Sequence, residues 1–339
     1  MLPLISVIVP AYNVEGKIKS TLESIIAQDY ENIEIVLVDD ASTDSTLALS
    51  KETLKSGGRP WHVAEHPANR GVCAARNTGL RIAGGEYVLF FDADDLADEN
   101  FVTILHGAIT GERGSDLAFC GFRSRDDNTG SETTHPIELD PTRRYSSEDL
   151  TVLRIFSKIV PTICTFLLRR DFLLSRGLVF SEGCTAGEDV EMVIKILSEC
   201  GSAHFSPKCP YIYVKHAGMG SIAGSATHEQ RRRRYIDNAA AHLRVANFLI
   251  ERSGSPKVVD IAKNYLLPMA QIKRLTSHAM VCDRKSFDDF LRAPEVREAL
   301  RSSYKYFFKA PVIYLKALCL LCAPGVYYRM RAGYGDIDR

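Results

Sequence analysis

The chain has 339 residues, 45% of them apolar and 25% charged, with 42 basic and 42 acidic side chains. It is longer than one small core requires and too apolar for disorder, so one large domain or two modest ones is expected. The zero net charge hides an asymmetry: residues 1–225 carry 21 Lys and Arg against 31 Asp and Glu, a net of −10, and residues 226–339 carry the other 21 and 11, a net of +10.

The acidic front argues against nucleic acid on that part, and the basic back suits phosphates or an anionic membrane. The nine cysteines have no framework spacing, which favours free thiols in a reducing compartment. Cys319 and Cys322 have zinc-like spacing, but their flanks are apolar and no second pair follows. Met1 runs at once into "ISVIVP" without a basic region or cleavage site, so a cytoplasmic location is expected.

Along the chain, "LISVIVP" (4–10) is a short apolar run that suits a buried strand. Ile18, Leu22, Ile25 and Ile26 then fall at helical spacing and predict an amphipathic helix over 15–28. "IEIVLVDD" (33–40) is a second strand, followed by a helix that "STDST" would start well. "WHVAEH" reads as a third strand, "GVCAARNTGLRIAGG" as a helix with a Gly stop, and "YVLFFD" as a fourth strand. Alternation of this kind implies right-handed crossovers and a mainly parallel sheet.

The stretch 110–160 is polar and reads as loop or irregular sheet edge. "TICTFLLRRDFL" and "AHFSPKCPYIYVKH" read as further strands or helix starts, and from about 226 the pattern is helical and basic. Ligands of open α/β sheets bind beyond the carboxyl ends of the strands. Those ends carry Tyr12 and Asn13, then Asp39 and Asp40, then Asp92 and Asp94. Three segments distant in sequence thus bring polar groups to one edge.

In "YVLFFDADDL" (87–96) three carboxylates fall within four positions. Two bare carboxylates about 4 Å apart repel by roughly 1 kcal/mol in water and about 4 kcal/mol near a protein surface, so a positive partner is expected. In extended backbone, residues two apart point the same way, so Asp92 and Asp94 can face one ligand and Asp95 another direction. Their hard oxygens suit Mg²⁺ or Mn²⁺. "TAGEDVEM" (185–192) has two readings: a capping box of Thr185 and Glu188, or a carboxylate at Asp189 that takes a proton.

"VIVPAYN", "VDDASTDST", "NRGVCAARNTGL", "GEYVLFFDADD" and "GEDVEM", in this order, resemble family 2 glycosyltransferases of the GT-A fold. The resemblance covers about 1–225. It implies an α/β GT-A (Rossmann-like) domain, a sugar-nucleotide donor, a divalent cation, Mg²⁺ or Mn²⁺, inversion at the anomeric carbon, and an acceptor hydroxyl. Within 1–225 it divides a nucleotide-binding half (1–105) from an acceptor half (106–225).

By this resemblance Asp92-Ala93-Asp94 is the DxD motif, with Asp94 the direct metal ligand and Asp92 holding ribose or metal. Asp40 accepts from the uracil imide, Tyr12 packs on the base, and Ala11 and Asn13 belong to the same loop. Where the family often has Glu after that Asn, Val14 comes first and Glu15 follows. Arg76 contacts the donor or orients the DxD acids, the alternative being an exposed helical Arg. Asp189 is the general base, with Glu188 beside it on the substrate. Lys215, His216 or Ser221 belong to a loop near the diphosphate.

Gly218-x-Gly220-x-x-Ala223 mimics a dinucleotide fingerprint but lacks the βαβ context. Arg231 to Arg234 point around a helix and read mainly as a solvated face, the alternative being contact with lipid phosphate. In the tail, Pro311 to Pro324 bracket an apolar stretch, roughly 21 Å as a helix against a hydrocarbon core of about 30 Å. Lys316 interrupts it, and aromatic and basic residues flank it. A helix lying in the membrane surface near 305–331 is expected, the alternative being a helix packed on the protein.

Together these features predict a metal-dependent inverting glycosyltransferase. Its donor would be a UDP-sugar and its acceptor a lipid-linked or cell-surface saccharide, with the enzyme peripheral at the inner face of the membrane. A sugar nucleotidyltransferase and a catalytically silent membrane-bound scaffold are the alternatives; "PAYNVEGKIK" is a poor match to the Gly-rich loop of the former, and the intact acids oppose the latter.

Overall fold

The computed structural model describes residues 2–110, 115–140, 143–216, 228–280, 283–306 and 308–332. Two compact units emerge: residues 1–184 with 192–220, and residues 185–191 with 221–339.

The first unit begins β1 (Ile5–Ala11), α1 (Ile18–Ile26), β2 (Ile33–Asp39), α2 (Thr46–Ser56), β3 (Trp61–Glu65), α3 (Val72–Ile82) and β4 (Tyr87–Phe90). Every expected strand and helix of this stretch is present. β1, β2 and β4 are buried at every position, as strands covered on both faces must be. They pair in parallel in the order β3-β2-β1-β4.

β5 (Leu96–Ala97), α4 (Phe101–Thr110), β6 (Leu117–Asp126), β7 (Glu132–His135), α5 (Ser147–Ile155), β8 (Phe166–Arg169) and α6 (Arg170–Ser175) follow, then α7 (Glu188–Glu199) and β9 (Ala203–Lys215). Beyond β4 the sheet continues β8-β6-β9-β5, with β7 on β6. β8 runs antiparallel to β4 and β6, while β6 and β9 are parallel, so the sheet is mixed here.

The polar stretch expected to be loop or sheet edge therefore contains β6, a ten-residue strand between β8 and β9. Its polar half is satisfied across strands. Arg123 donates to Asp98 at 2.8 and 2.9 Å and pairs with Glu132 at 3.0 Å, and Arg125 pairs with Glu132 at 2.7 Å. The β6–β9 register shifts between Cys120 and Phe122. At Gly121 a Cβ would fall 2.6 Å from both Cys209 Sγ and the His135 carbonyl, so only glycine fits this bulge.

The second unit is helical: α8 (His228–Arg252), α9 (Pro256–Ile261), a π turn (262–266), α10 (Leu267–Met280), α11 (Arg284–Arg292), α12 (Pro294–Ser302), α13 (Pro311–Cys322) and α14 (Pro324–Ala332). Its core joins Ile272, Leu275, Phe287, Leu300, Ala317 and Leu320. α13 buries Ala317 and Leu320 but leaves Val312 59% and Leu315 56% exposed, with Leu318 beside them. The tail helix thus packs on the core of its own unit and keeps an apolar face outward. It is two helices, bent by 116° at the break before Pro324, and no single described helix is long and apolar enough to cross a membrane. The described cysteines are all free.

Candidate active site

The edge at the carboxyl ends of β1, β2 and β4 is assembled by loop-to-loop hydrogen bonds. Ala11 is buried and its carbonyl accepts from the Asp40 amide at 2.9 Å. Tyr12, next along, is 46% exposed. Asn13 sits at φ 50°, a left-handed conformation that Asn tolerates. Its Oδ1 accepts from the Thr43 amide at 2.8 Å and its own amide donates to Ser42 Oγ at 3.1 Å. Glu15 accepts from the Ser45 amide at 2.9 Å. Asn13 and Glu15 thereby knit the β1–α1 loop to the β2–α2 loop, a function for Glu15 that its displaced position in the motif did not suggest.

Neither Asp39 nor Asp40 caps α2; its N-cap is Ser45, and Asp44 just before it accepts from the Thr46 amide at 2.9 Å. Asp40 is buried and accepts from three donors. His66 Nδ1 lies at 2.6 Å, the Arg70 amide at 3.0 and 3.1 Å from the two oxygens, and the Gly71 amide at 2.7 Å. With Nδ1–H donating, His66 Nε2 accepts from the Thr78 hydroxyl at 3.0 Å. Gly71 has φ 85°, which puts its N–H in line with the carboxylate at no steric cost. Asp39 is also buried: Oδ2 accepts from the Ser42 amide at 3.1 Å, and Oδ1 has no hydrogen-bond partner.

Beyond β4, Asp92, Ala93, Asp94 and Asp95 form a turn rather than the extended segment expected, closed by the Asp95 amide donating to the Asp92 carbonyl at 3.2 Å. The turn sends Asp95 inward while Asp92 and Asp94 stay open. Asp95 is buried; its carboxylate accepts from the Tyr211 hydroxyl and from the Val214 amide at 2.8 Å. Burial, then the charge of Asp92, pushes Asp95 up to about 8. Ala93 is buried too, its carbonyl accepting from Thr21 Oγ1 at 3.0 Å.

Asp92 and Asp94 stay partly exposed, and each meets a cationic or titratable partner. Arg76 donates to Asp92 Oδ1 at 2.8 Å. It is not the exposed helical Arg of the alternative reading: it is only 2% exposed, with its guanidinium carbon 5.2 Å from the centre of the Phe180 ring. His216 Nε2 lies 3.6 Å from Asp94 Oδ2, and its Nδ1 is 2.9 Å from Asp127 Oδ2. Lys17 stands 4.0 Å from the same Asp127 oxygen. Burial, then the Asp92 charge, raises Asp94 above the usual carboxylate range, and His216 and Lys17 oppose that rise.

Positive charge of the kind the acidic cluster demanded is present in the protein, from Arg76 in α3 and Lys17 before α1, with the His216 imidazole beside Asp94 just after β9. His216 belongs to the segment singled out in the sequence. Lys17 and Asp127 do not, and their only sequence signal is a charge beside a strand end. Arg70 extends the rim, pairing with Glu182 at 2.9 Å, and Asn77 binds the backbone of Phe180. Lys215 lies at the last position of β9, whereas Ser221 and the Gly218–Ala223 motif lie outside the described residues.

Asp189 and Glu188 occupy the first turn of α7 and group with the second unit. The capping box does not form there. α7 opens at Glu188 behind Gly187, whose φ is 84°, so Thr185 stands too early in the chain to be its cap. The Thr185 amide donates to the Asp237 carboxylate of α8 at 2.9 Å, and its hydroxyl bonds the same oxygen.

Among the described residues no set of three or more His, Cys, Asp or Glu side chains is arranged to enclose a metal ion. Two adjacent carboxylates nonetheless fit a cation that takes one or two protein oxygens and completes its shell with water and phosphate, as Mg²⁺ does.

A mixed α/β sheet with an acidic pair beyond its parallel strands agrees with the GT-A fold that the sequence motifs resemble. The sequence profile of glycosyl transferase family 2 matches residues 6–177, half of the chain, and the chain belongs to that family. It is 41% identical over 126 residues to glycosyltransferase GlyA of Streptococcus pneumoniae (37% of this chain, 18% of that protein). It is 29% identical over 217 residues to the uncharacterized glycosyltransferase EpsJ of Bacillus subtilis (63% of this chain, 61% of that protein). The chain thus spans less than two thirds of either relative. Among solved structures it resembles S. aureus TarS 1–349 in complex with UDP-GlcNAc: TM-score 0.63, 21% identity, covering 97% of this chain and 88% of that one. It also resembles the mannosyltransferase PcManGT of Pyrobaculum calidifontis in complex with GDP-Man and Mn²⁺: TM-score 0.51, 22% identity, covering 93% and 88%. At these identities the two structures speak for the fold.

Proposed function

We propose that this glycosyltransferase moves a sugar from a UDP-sugar to a hydroxyl of a lipid-linked or cell-surface saccharide, with inversion at the anomeric carbon, in glycan assembly. The observation that carries the reading is the Asp92–Asp94 pair beyond β4, flanked by Arg76 and His216. Such a pair suits a diphosphate only if a cation joins them. Asp94 and Asp92 would hold Mg²⁺ or Mn²⁺, which offsets charge on the departing nucleotide. Arg76 fixes the Asp92 carboxylate and brings a buried guanidinium to the diphosphate end.

Tyr12, exposed at the strand end, supplies a face for the base, and Ala11 and Ala93 shape the walls through their carbonyls and Asn13 through its side-chain oxygen. Asp40 shares its oxygens with the Arg70–Gly71 turn, so the uracil imide competes for an oxygen that is already engaged. Asp189 takes the acceptor proton and Glu188 lies beside it; their support is the sequence motif and their position opening α7. The acceptor hydroxyl then attacks the anomeric carbon opposite the nucleotide. The basic second unit and the outward apolar face of α13 support peripheral membrane contact at the cytoplasmic leaflet.

The test is nucleotide release from a panel of UDP-, GDP- and dTDP-sugars, with and without Mn²⁺ or Mg²⁺, in the presence of solubilised lipid extract. Metal-dependent release of UDP from one donor, lowered about a hundredfold or more in Asp94→Asn, is the expected result. Full activity of Asp94→Asn with unchanged metal dependence overturns the reading.

A further inference from the structure

The helical unit contains a cavity of about 310 Å³ between α8 and α10, lined by none of the candidate active-site residues. That is at the small end of the roughly 300–1,000 Å³ of ligand pockets. Ile236, Ala239, Ala240 and Leu243 from α8, with Ala270 from α10, form an apolar floor. Arg232, Arg274 and His278 stand around it, and no carboxylate is among its described lining residues.

These groups are held in place. The Phe290 ring carries the Arg274 guanidinium at 4.3 Å and lies 5.9 Å from the His278 ring, so one aromatic platform sets the two side by side. Arg232 pairs with Glu229 at 3.3 Å along its own helix and feels the charge of Asp283, and its buried Nε has no hydrogen-bond partner. Burial holds His278 below the usual His range; Asp283 opposes that, and Arg274 and Arg232 reinforce it. The two guanidiniums repel one another above an apolar floor; Glu229 answers Arg232, and Asp283 acts on Arg232 and His278, but neither acid lines the cavity. A ligand that is doubly anionic at one end and apolar at the other satisfies both halves. Guanidinium forks match phosphate oxygens in geometry as well as charge.

We propose that this cavity binds a long-chain phosphate monoester, with its head on Arg232, Arg274 and His278 and the first part of its chain on the alanine and leucine floor. This goes beyond the proposed transfer to a saccharide hydroxyl: it assigns to the helical unit a site for a lipid phosphate that carries no sugar.

The test is calorimetric titration of the full-length protein with dodecyl phosphate below its micellar concentration, without nucleotide. Inorganic phosphate, dodecanoate and dodecyl maltoside serve as comparison ligands. The expected result is saturable dodecyl phosphate binding at least tenfold tighter than that of any comparison ligand. It should weaken tenfold or more in R232Q/R274Q and in Ala240→Trp, which fills the floor, and stay unchanged in Leu315→Glu, which alters only the outer face of α13. Thermal melts check that each variant is folded. Binding unchanged in R232Q/R274Q, absent in the wild type, or lost in Leu315→Glu overturns the proposal. Inorganic phosphate binding as tightly makes it a free-phosphate site, dodecanoate a general anion site and dodecyl maltoside a chain site; each overturns the lipid phosphate. No turnover is measured, so failure here leaves the transferase reading intact, and that reading can fail in the UDP-release assay while this binding persists.

Discussion

Arg76 and Asp92 form a half-buried ion pair, 2.8 Å from guanidinium to carboxylate, with the arginine also lying against the ring of Phe180. A lysine would keep the charge but lose the planar contacts. Arg76→Lys should therefore fold, with a loss of about 1–3 kcal/mol, and release nucleotide at least about tenfold more slowly. A double-mutant cycle with Asp92→Asn should show a coupling of about 1–3 kcal/mol in denaturant melts. A coupling near zero would mean that the pair does not set the position of either residue.

Asp40 holds three donors, so its role in stability is separable from any role in binding. Asp40→Ala strands the Arg70 and Gly71 amides and the His66 ring, and should cost about 3 kcal/mol. The melting temperature should fall by several degrees. If Asp40→Ala melts like the wild type but loses UDP, its carboxylate serves the base alone.

Asp95 depends on Tyr211. Tyr211→Phe removes one of the two donors to a buried carboxyl group and should destabilise by about 1–3 kcal/mol, measured by urea unfolding at neutral pH. An unchanged midpoint would show that Val214 alone suffices.

Lys273 offers a pH test. Burial, then the charge of Lys316, pushes its ammonium down to about 8, and its Nζ lies 3.4 Å from His242 Nε2. The folded value lies below the unfolded one, so the fold prefers the neutral amine. That preference acts fully above about 10.5 and is lost as pH falls through 8, where the fold must carry the charge. Lys273→Met should thus stabilise by about 1–2 kcal/mol at pH 7, with the gain shrinking toward pH 10. A gain independent of pH would point to packing rather than charge.

The outer face of α13 is the simplest test of membrane contact. Leu315→Glu should leave the melting temperature within about a degree, since the side chain is exposed. Co-sedimentation with anionic vesicles should fall several-fold, because an acid then replaces an apolar group facing the headgroups. Equal sedimentation of both proteins would remove α13 from the binding surface.

The first four strands were legible because fully buried parallel strands are continuous apolar runs with sharp ends. β6 was not, because Arg123 and Arg125 break its pattern and are neutralised by Asp98 and Glu132, which are not their neighbours in sequence. The same holds at the site. Asp92, Asp94 and Arg76 could be read from their motifs, although a turn and not extended backbone separates Asp95 from the other two acids. His216 beside Asp94, with Asp127 and Lys17 behind it, joins four segments that no local pattern links. Thr185 and Glu188 had the spacing of a cap, but Gly187 delays the helix and Asp237 takes the hydroxyl.

The sequence by itself determined the order of the first four strands and three helices, the edge at which the acids gather, and the family, since each rests on residues close together in the chain. The tertiary structure alone decided which carboxylate is buried against Tyr211 and which stays open, what holds Asp40, and how Phe290 sets Arg274 beside His278. Those outcomes depend on distances between segments tens to hundreds of residues apart. Burial and charge there act through space, and spacing along the chain does not record them.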